Sequence, residues 1–137
     1  MTKSPLITKL NDQLNREVST FLRYMRQAAA IKGASNENVR SMYLAEVTDE
    51  VGHAQYLANQ IAHLGGTPEL APDLSPIPAT VDAMLTADIA AEGADVANYI
   101  ELAHMAESAG HFALKQTMED QAADEDHHRQ EMARLRG

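Results

Sequence analysis

Apolar residues recur at steps of three and four through most of the chain. Leu6, Leu10, Leu14, Phe21, Ala28 and Ile31 fall on one face of a first helix over about 5–33, the spacing of an amphipathic element with a buried stripe. Ser4-Pro5 supplies a cap and a first-turn proline, and Lys32-Gly33 closes the helix. Val39, Tyr43, Val47, Leu57, Ile61 and Leu64 mark the inner face of a second helix, over 36–64. It starts at a Ser35 or Asn36 cap and stops at Gly65-Gly66. A third, 80–108, starts at Thr80 with Asp82 in its first turn, and carries Met84, Leu85, Ile89, Val96, Tyr99, Ile100 and Ala103 inward. Ser108-Ala109-Gly110 breaks it. A fourth, 111–135, presents Leu114, Met118 and Met132. No alternating strand pattern occurs. The reading is an all-α four-helix bundle forming one domain over 1–137.

The links set the topology. The first and third connections are short, so each joins two antiparallel helices into a hairpin. Residues 65–79, GGTPELAPDLSPIPA, hold four of the five prolines and read as neither helix nor strand. Fifteen extended residues reach roughly 50 Å, against roughly 42 Å for a 28-residue helix. The connector can therefore run the length of the bundle as a long crossover. The first two helices also carry second apolar rows, Val18, Leu22, Met25 and Ala29, and Leu44, Val51, Ala54 and Ala58. These read as a wide core face or a surface for another subunit.

Composition narrows the function. Cys is absent, which excludes disulfides, thiolate zinc sites and rubredoxin-type iron. No apolar run approaches the roughly 20 residues of a membrane helix, and MTKSPLITKL lacks a signal-peptide core. A cytoplasmic protein is expected. A net charge of −9 opposes nucleic-acid binding and suits a protein that attracts cations.

The polar residues inside the apolar stripes carry the chemistry. Glu50-Val51-Gly52-His53 and Glu125-Asp126-His127-His128 each set a carboxylate three residues before an imidazole, on one helix face. The two motifs are 75 residues apart, and the same offset relates Glu17 to Glu92 and Tyr24 to Tyr99. The chain reads as a duplicated helical hairpin, with all four carboxylates near mid-helix. Four carboxylates and two imidazoles in a bundle core are too costly as unpaired charges, and the core stripes offer no Lys or Arg beside them. Two divalent cations would neutralise the carboxylates. Hard oxygen donors with one imidazole per metal suit iron or manganese.

A Glu from each of two helices plus Glu-x-x-His from each of the other two resembles the ferritin-like di-iron pattern. Among these families the chain is most similar to bacterioferritin, through LNREVSTFLRYMRQA, EVTDEVGHAQYL, DIAAE and EDQAADEDHH. The resemblance implies two iron ions per subunit: Glu17, Glu50 and His53 for one, Glu92, Glu125 and His128 for the other, with Glu50 and Glu125 bridging. It places Tyr24 beside the centre as a catalytic tyrosine. It implies a ferroxidase that oxidises Fe(II) with O2 or H2O2 and stores the product in a homo-oligomeric cage.

Three positions depart from that pattern. Val51 replaces the haem-ligating Met, so haem does not carry over; Met25 is the substitute candidate, against a packing role. The family's fifth helix has no counterpart, which leaves a 24-mer, a 12-mer shell and a dimer as alternatives. Ala45 replaces an iron-relay His, while Asp49 is kept.

The remaining polar residues have plainer readings. Glu46 and Gln121 either orient a ligand His or are solvated. His63, His104, His111 and His127 read as surface residues. Of Asp124, Glu125 and Asp126, only Glu125 is assigned by the repeat. Competing functions are a rubrerythrin-like di-iron peroxidase or oxidase without storage, and a DNA-protecting shell, which the acidic charge opposes.

Overall fold

The computed structural model describes residues 4–137; the first three residues of the N-terminal reading lie outside them. Four long helices make the fold: α1 (Pro5–Ala30), α2 (Glu37–His63), α3 (Val81–Ser108) and α4 (Phe112–Arg136). Among the described residues there is no strand.

The helix ends differ from the sequence expectation in instructive ways. α1 stops at Ala30, three residues early, because Ile31 is already extended and Gly33 takes φ 92°, a left-handed conformation that favours glycine. Ser4 occupies the N-cap position without a side-chain bond. A 3-10 turn, Ala34–Asn36, leads into α2. The Asn36 side chain donates back to the Lys32 carbonyl at 3.0 Å instead of capping α2. Thr80 does cap α3: its hydroxyl accepts from the Ala83 N–H at 3.1 Å.

Residues 65–79 lie against α1 as a strap. Asn11 donates to the Thr67 carbonyl (3.2 Å) and accepts from the Glu69 N–H (2.8 Å). Asn15 donates to the Glu69 carbonyl (2.7 Å) and accepts from the Ala71 N–H (2.6 Å). Ser19 accepts from the Asp73 N–H at 2.8 Å, and Arg26 donates to the Ser75 carbonyl at 3.0 Å. The partners on α1 step by four and then seven, one helix face, while the strap climbs in the same direction. α3 therefore starts at the level where α2 starts, and runs parallel to it.

Two apolar clusters fill the interior. One holds Leu6, Leu10, Leu14, Leu57, Ile61, Leu102 and Met118. The other holds Ala28, Ile31, Val39, Met84, Leu85 and Met132, with Tyr24 and Tyr43 at its edge. Burial of each large side chain contributes about 1.5–3 kcal/mol. A polar layer separates the clusters at mid-helix: Glu17, Glu50, Glu92 and Glu125 are fully buried, and His53 and His128 nearly so. Ile100, expected inside, and Met25, Leu44 and Val51 of the second apolar rows are exposed; Ala54 of those rows is buried.

Candidate metal centre

Each helix contributes to the polar layer. Glu17 comes from α1, Glu46, Glu50 and His53 from α2, Glu92 from α3, and Glu125 and His128 from α4. The helical 3-residue step turns Glu50 and His53 the same way, and Glu125 and His128 likewise. The antiparallel pairing of α2 with α4 then faces the two motifs. The imidazole rings stack with centroids 6.3 Å apart and planes 17° from parallel.

Both histidines turn Nδ1 inward. His53 Nδ1 lies 2.9 Å from Glu125, 3.6 Å from Glu50 and 3.8 Å from Glu17. His128 Nδ1 lies 2.7 Å from Glu46, 3.2 Å from Glu50, 3.8 Å from Glu125 and 4.0 Å from Glu92. These separations are short, yet neither Nδ1 is aligned for a hydrogen bond. The outward nitrogens are braced crosswise: His53 Nε2 reaches Asp124 of α4 at 3.1 Å, and His128 Nε2 reaches Asp49 of α2 at 3.3 Å. Asp49 and Asp124 are 75 residues apart, so the repeat extends to this outer pair. That corrects the assignment of the repeat to Glu125 alone within the acidic cluster.

The carboxylates divide into two kinds. Glu17 has one oxygen held by Gln13 Nε2 at 2.8 Å, and Glu92 one held by the Tyr24 hydroxyl at 2.5 Å. Their other oxygens are buried and unpartnered. Glu50 and Glu125 have both oxygens buried and unpartnered. Unsatisfied buried oxygens are rare and costly, and here they converge. Ligand atoms of Glu17, Glu50, His53 and Glu125 lie within 4.8 Å of one another, as do those of Glu46, Glu50, Glu92 and His128. Glu50 belongs to both groups. The donors are hard oxygens with one imidazole per group, a set that fits iron or manganese.

The electrostatics follow from crowding. Burial by itself pulls the His53 imidazole down, but the facing carboxylates of Glu125 and Glu50 lift it to about 11. Burial opposes the His128 charge too, and Glu46 and Glu50 lift it to about 10. Burial and then Glu125 push Glu92 up to about 12. Burial raises Glu125 to about 8 against the pull of the facing His53 and Glu92. Burial would raise Glu50 as well, yet His128 and His53 hold it at about 2. In the metal-free protein the histidines thus play the cations.

Three features differ from the sequence reading. Glu46 is buried among the candidate ligand atoms, while the aspartates, not Glu46 or Gln121, brace the outer imidazole nitrogens. Arginines do reach two other core acids, though none of the six candidate ligands. Arg16 Nε bonds Asp95 at 2.6 Å, and Arg23 Nε bonds Asp88 at 2.9 Å. Gln13 and Gln27 add bonds of 3.1 and 2.8 Å to the same aspartates. Asp95 lies near Glu92 and Glu125, but it is already occupied by Arg16 and Gln13. Tyr99 packs edge-on to His53 at 6.0 Å with its hydroxyl unpartnered. His63, His104, His111 and His127 are exposed. His127 lines, with Asp49 and Asp124, a surface cavity of about 350 Å³ outside His53 and His128.

Comparison with known proteins agrees with this geometry. The ferritin-like domain model matches residues 7–137. A ferritin-like, diiron-carboxylate protein from Bacillus anthracis shares 32% identity at a TM-score of 0.91, over 96% of this chain and 95% of that one. The bacterioferritin-related protein of Bacteroides fragilis, a dodecameric thioferritin, superposes with a TM-score of 0.85 at 24% identity, over 95% and 83%. BfrA from M. tuberculosis does so at 0.86 and 22%, over 97% and 83%. These last two share the fold. No curated protein sequence matches the chain. A polar layer of Glu and ExxH donors between two apolar clusters, and a family match over nearly the whole chain, lead to one conclusion: this protein belongs to the ferritin-like family, on the diiron-carboxylate fold.

Proposed function

We propose that the protein is a ferroxidase, oxidising Fe(II) with O2 or H2O2 and feeding the ferric product to a homo-oligomeric shell. The observation that carries the proposal is the convergence of buried, unpartnered oxygens and Nδ1 atoms from all four helices. In this reading Glu17, Glu50 and His53 hold one iron, and Glu92, Glu125 and His128 the other. Glu50 and Glu125, free at both oxygens, would be shared by the two. Glu17 and Glu92, each with one oxygen committed to the protein, would offer the other to one ion each. Iron supplies the electrons when bound. Asp124 and Asp49 orient the histidines from outside. Tyr24, hydrogen-bonded to Glu92, stands where it can give an electron and a proton to the reaction. Manganese is the alternative metal for the same donors.

Cations enter through the cavity flanked by Asp49 and Asp124, drawn by a net charge of −9. The shell uses the outer apolar face of α1 and α2, where Met25, Leu44 and Val51 are exposed. A 12-mer, as in the Bacteroides relative, a 24-mer and a dimer are the assemblies to be distinguished by native mass. Haem has no Met at Val51, and Met25 on the same outer face is its remaining candidate ligand. No helix among the described residues is long and apolar enough to cross a membrane, and the working location is the cytoplasm.

Stopped-flow mixing of the metal-free protein with about two Fe(II) per chain, then oxygen or peroxide, tests the proposal. Rapid ferric absorbance should appear, and Glu50→Ala or Glu125→Ala should abolish the fast phase. An unchanged rate in both variants would overturn it. Steady peroxide turnover with a reductant and no iron accumulation would move the protein to a rubrerythrin-like role.

A further inference from the structure

Tyr43 is a third aromatic hydroxyl in the core beside Tyr24 and Tyr99, and unlike them has no counterpart in the 75-residue repeat. The position 75 residues on is Met118. Its ring is fully buried, with its centroid 5.0 Å from that of Tyr24 and the planes tilted by 52°. Its hydroxyl donates to Asp88 Oδ2 at 2.7 Å. Asp88 is in turn fixed by Gln27 Nε2 at 2.8 Å and by Arg23 Nε at 2.9 Å. The Arg23 guanidinium sits 5.3 Å from the Tyr24 ring centroid, and this side chain is 25% exposed. The two tyrosines thus form a contiguous path from Glu92 to the α1–α3 surface, with a carboxylate facing each phenol.

A buried tyrosine with one hydrogen bond is ordinary core structure. Three details go beyond that. The rings touch, each hydroxyl has its own carboxylate acceptor, and the second acceptor is held by a cation at the surface. Each phenol already donates its proton in a hydrogen bond to its carboxylate, so electron loss from either accompanies proton transfer to that carboxylate.

We propose that Tyr43 is the redox partner of Tyr24, carrying an oxidising equivalent away from the candidate metal centre. This rests on the ferroxidase reading. When an oxidant of the dioxygen or peroxide class takes one more electron than iron supplies, Tyr24 gives it and passes its proton to Glu92. Tyr43 then gives one electron to the Tyr24 radical and its own proton to Asp88, while Tyr24 recovers its proton from Glu92. Charge and protons balance: one phenol is restored, one is oxidised, Glu92 is again ionised and Asp88 is neutral. A one-electron reductant, such as a further Fe(II) ion, reverses the last change, and Asp88 returns the proton. Tyr43 is a relay, not a residue that touches iron.

The test is freeze-quench electron paramagnetic resonance of the full-length protein mixed with Fe(II) and hydrogen peroxide, with iron oxidation followed optically in the same mixture. Wild-type protein should give two tyrosyl patterns in sequence. Tyr43→Phe should lose the later pattern and keep the early one and the first fast phase of iron oxidation. Tyr24→Phe should lose both patterns. Absence of iron oxidation in wild type would sink the ferroxidase reading itself. Normal oxidation with the same spectra in wild type and Tyr43→Phe would overturn the relay alone. Should Tyr43→Phe not fold, the wild-type time course decides. A pattern that changes while total spin persists supports transfer, and one that decays unchanged overturns it.

Discussion

The interior holds two sets of buried acids, and they are satisfied in opposite ways. Asp88 and Asp95 of α3 are buried, and each accepts from an arginine and a glutamine of α1. Glu50 and Glu125 are equally buried, yet all four of their oxygens lack a partner. The first set needs nothing more, whereas the second needs a cation, and in its absence borrows charge from His53 and His128. Burial of a carboxylate therefore does not by itself mark a metal site; the unfilled lone pairs do.

The largest test of that contrast is stability of the metal-free protein. Asp88→Asn should destabilise by about 3 kcal/mol, the low end for breaking a buried pair because Arg23 is partly exposed. Glu125→Gln, at a carboxyl that burial already raises to about 8, should leave the metal-free protein as stable or more so at neutral pH. Denaturant unfolding compares them, and a larger loss in Glu125→Gln than in Asp88→Asn breaks the distinction. Iron oxidation should show the reverse order. Glu50→Ala or Glu125→Ala should slow it at least about 100-fold, the upper range for loss of even an outer-shell partner, and Asp88→Asn far less. Stopped-flow absorbance reads this.

The crosswise braces come next. Asp49→Asn or Asp124→Asn should weaken metal binding about 10-fold, measured by competition with a chelator, with little change in the metal-free melting temperature. Equal affinity in both variants would show that the braces do not orient the imidazoles.

The pH response separates the two forms without mutation. His53 and His128 bind protons more tightly folded than unfolded, at about 11 and 10, against roughly 6.5 in an unfolded chain. Their contribution is complete below that value and is lost as pH rises through 10 and 11. The elevated Glu125, at about 8, acts in the same direction from about 4.3 upward; Glu50, at about 2, acts only in acid. The metal-free protein should therefore lose stability between pH 6.5 and 9. Metal must displace those protons, so its stabilisation should grow over the same window. Paired thermal melts with and without metal check this, and a gap that shrinks with rising pH contradicts it. The smallest effect is remote from both sets: Thr80→Ala should cost about 1 kcal/mol by loss of the α3 cap.

The same contrast explains what could be read from sequence. The six candidate ligands were legible because they obey one offset and sit inside apolar stripes, and the four-helix topology because glycines and prolines punctuate it. The Asp–Arg pairs were not, because they join antiparallel helices α1 and α3, whose register no local pattern reveals. A signal did exist: Arg16 and Arg23 are seven apart, as are Asp88 and Asp95, so two charges per helix share a face. Asp49 and Asp124 obeyed the offset that identified the ligands, but their place on the exposed side of the helix concealed their role. Glu46 was hidden by asymmetry, since its repeat partner is Gln121. Ser4 and Asn36 show the limit of cap signals: the right residue type stood at the helix start, and its side chain bonded elsewhere or not at all.

The strap along α1 has a consequence for engineering. A proline-rich connector is the usual choice for inserting a tag or opening a circular permutant. Here the backbone of Thr67, Glu69, Ala71 and Asp73 is threaded through Asn11, Asn15 and Ser19 like teeth in a rack. Gly66 leaves no room either, since an added Cβ would fall 2.7 Å from Ile7. Adding a single residue at this segment slips every tooth beyond it, so cargo is better spliced into the α3–α4 turn beside Ala109-Gly110, where both residues are exposed and Gly110 itself is kept for its φ of 80°.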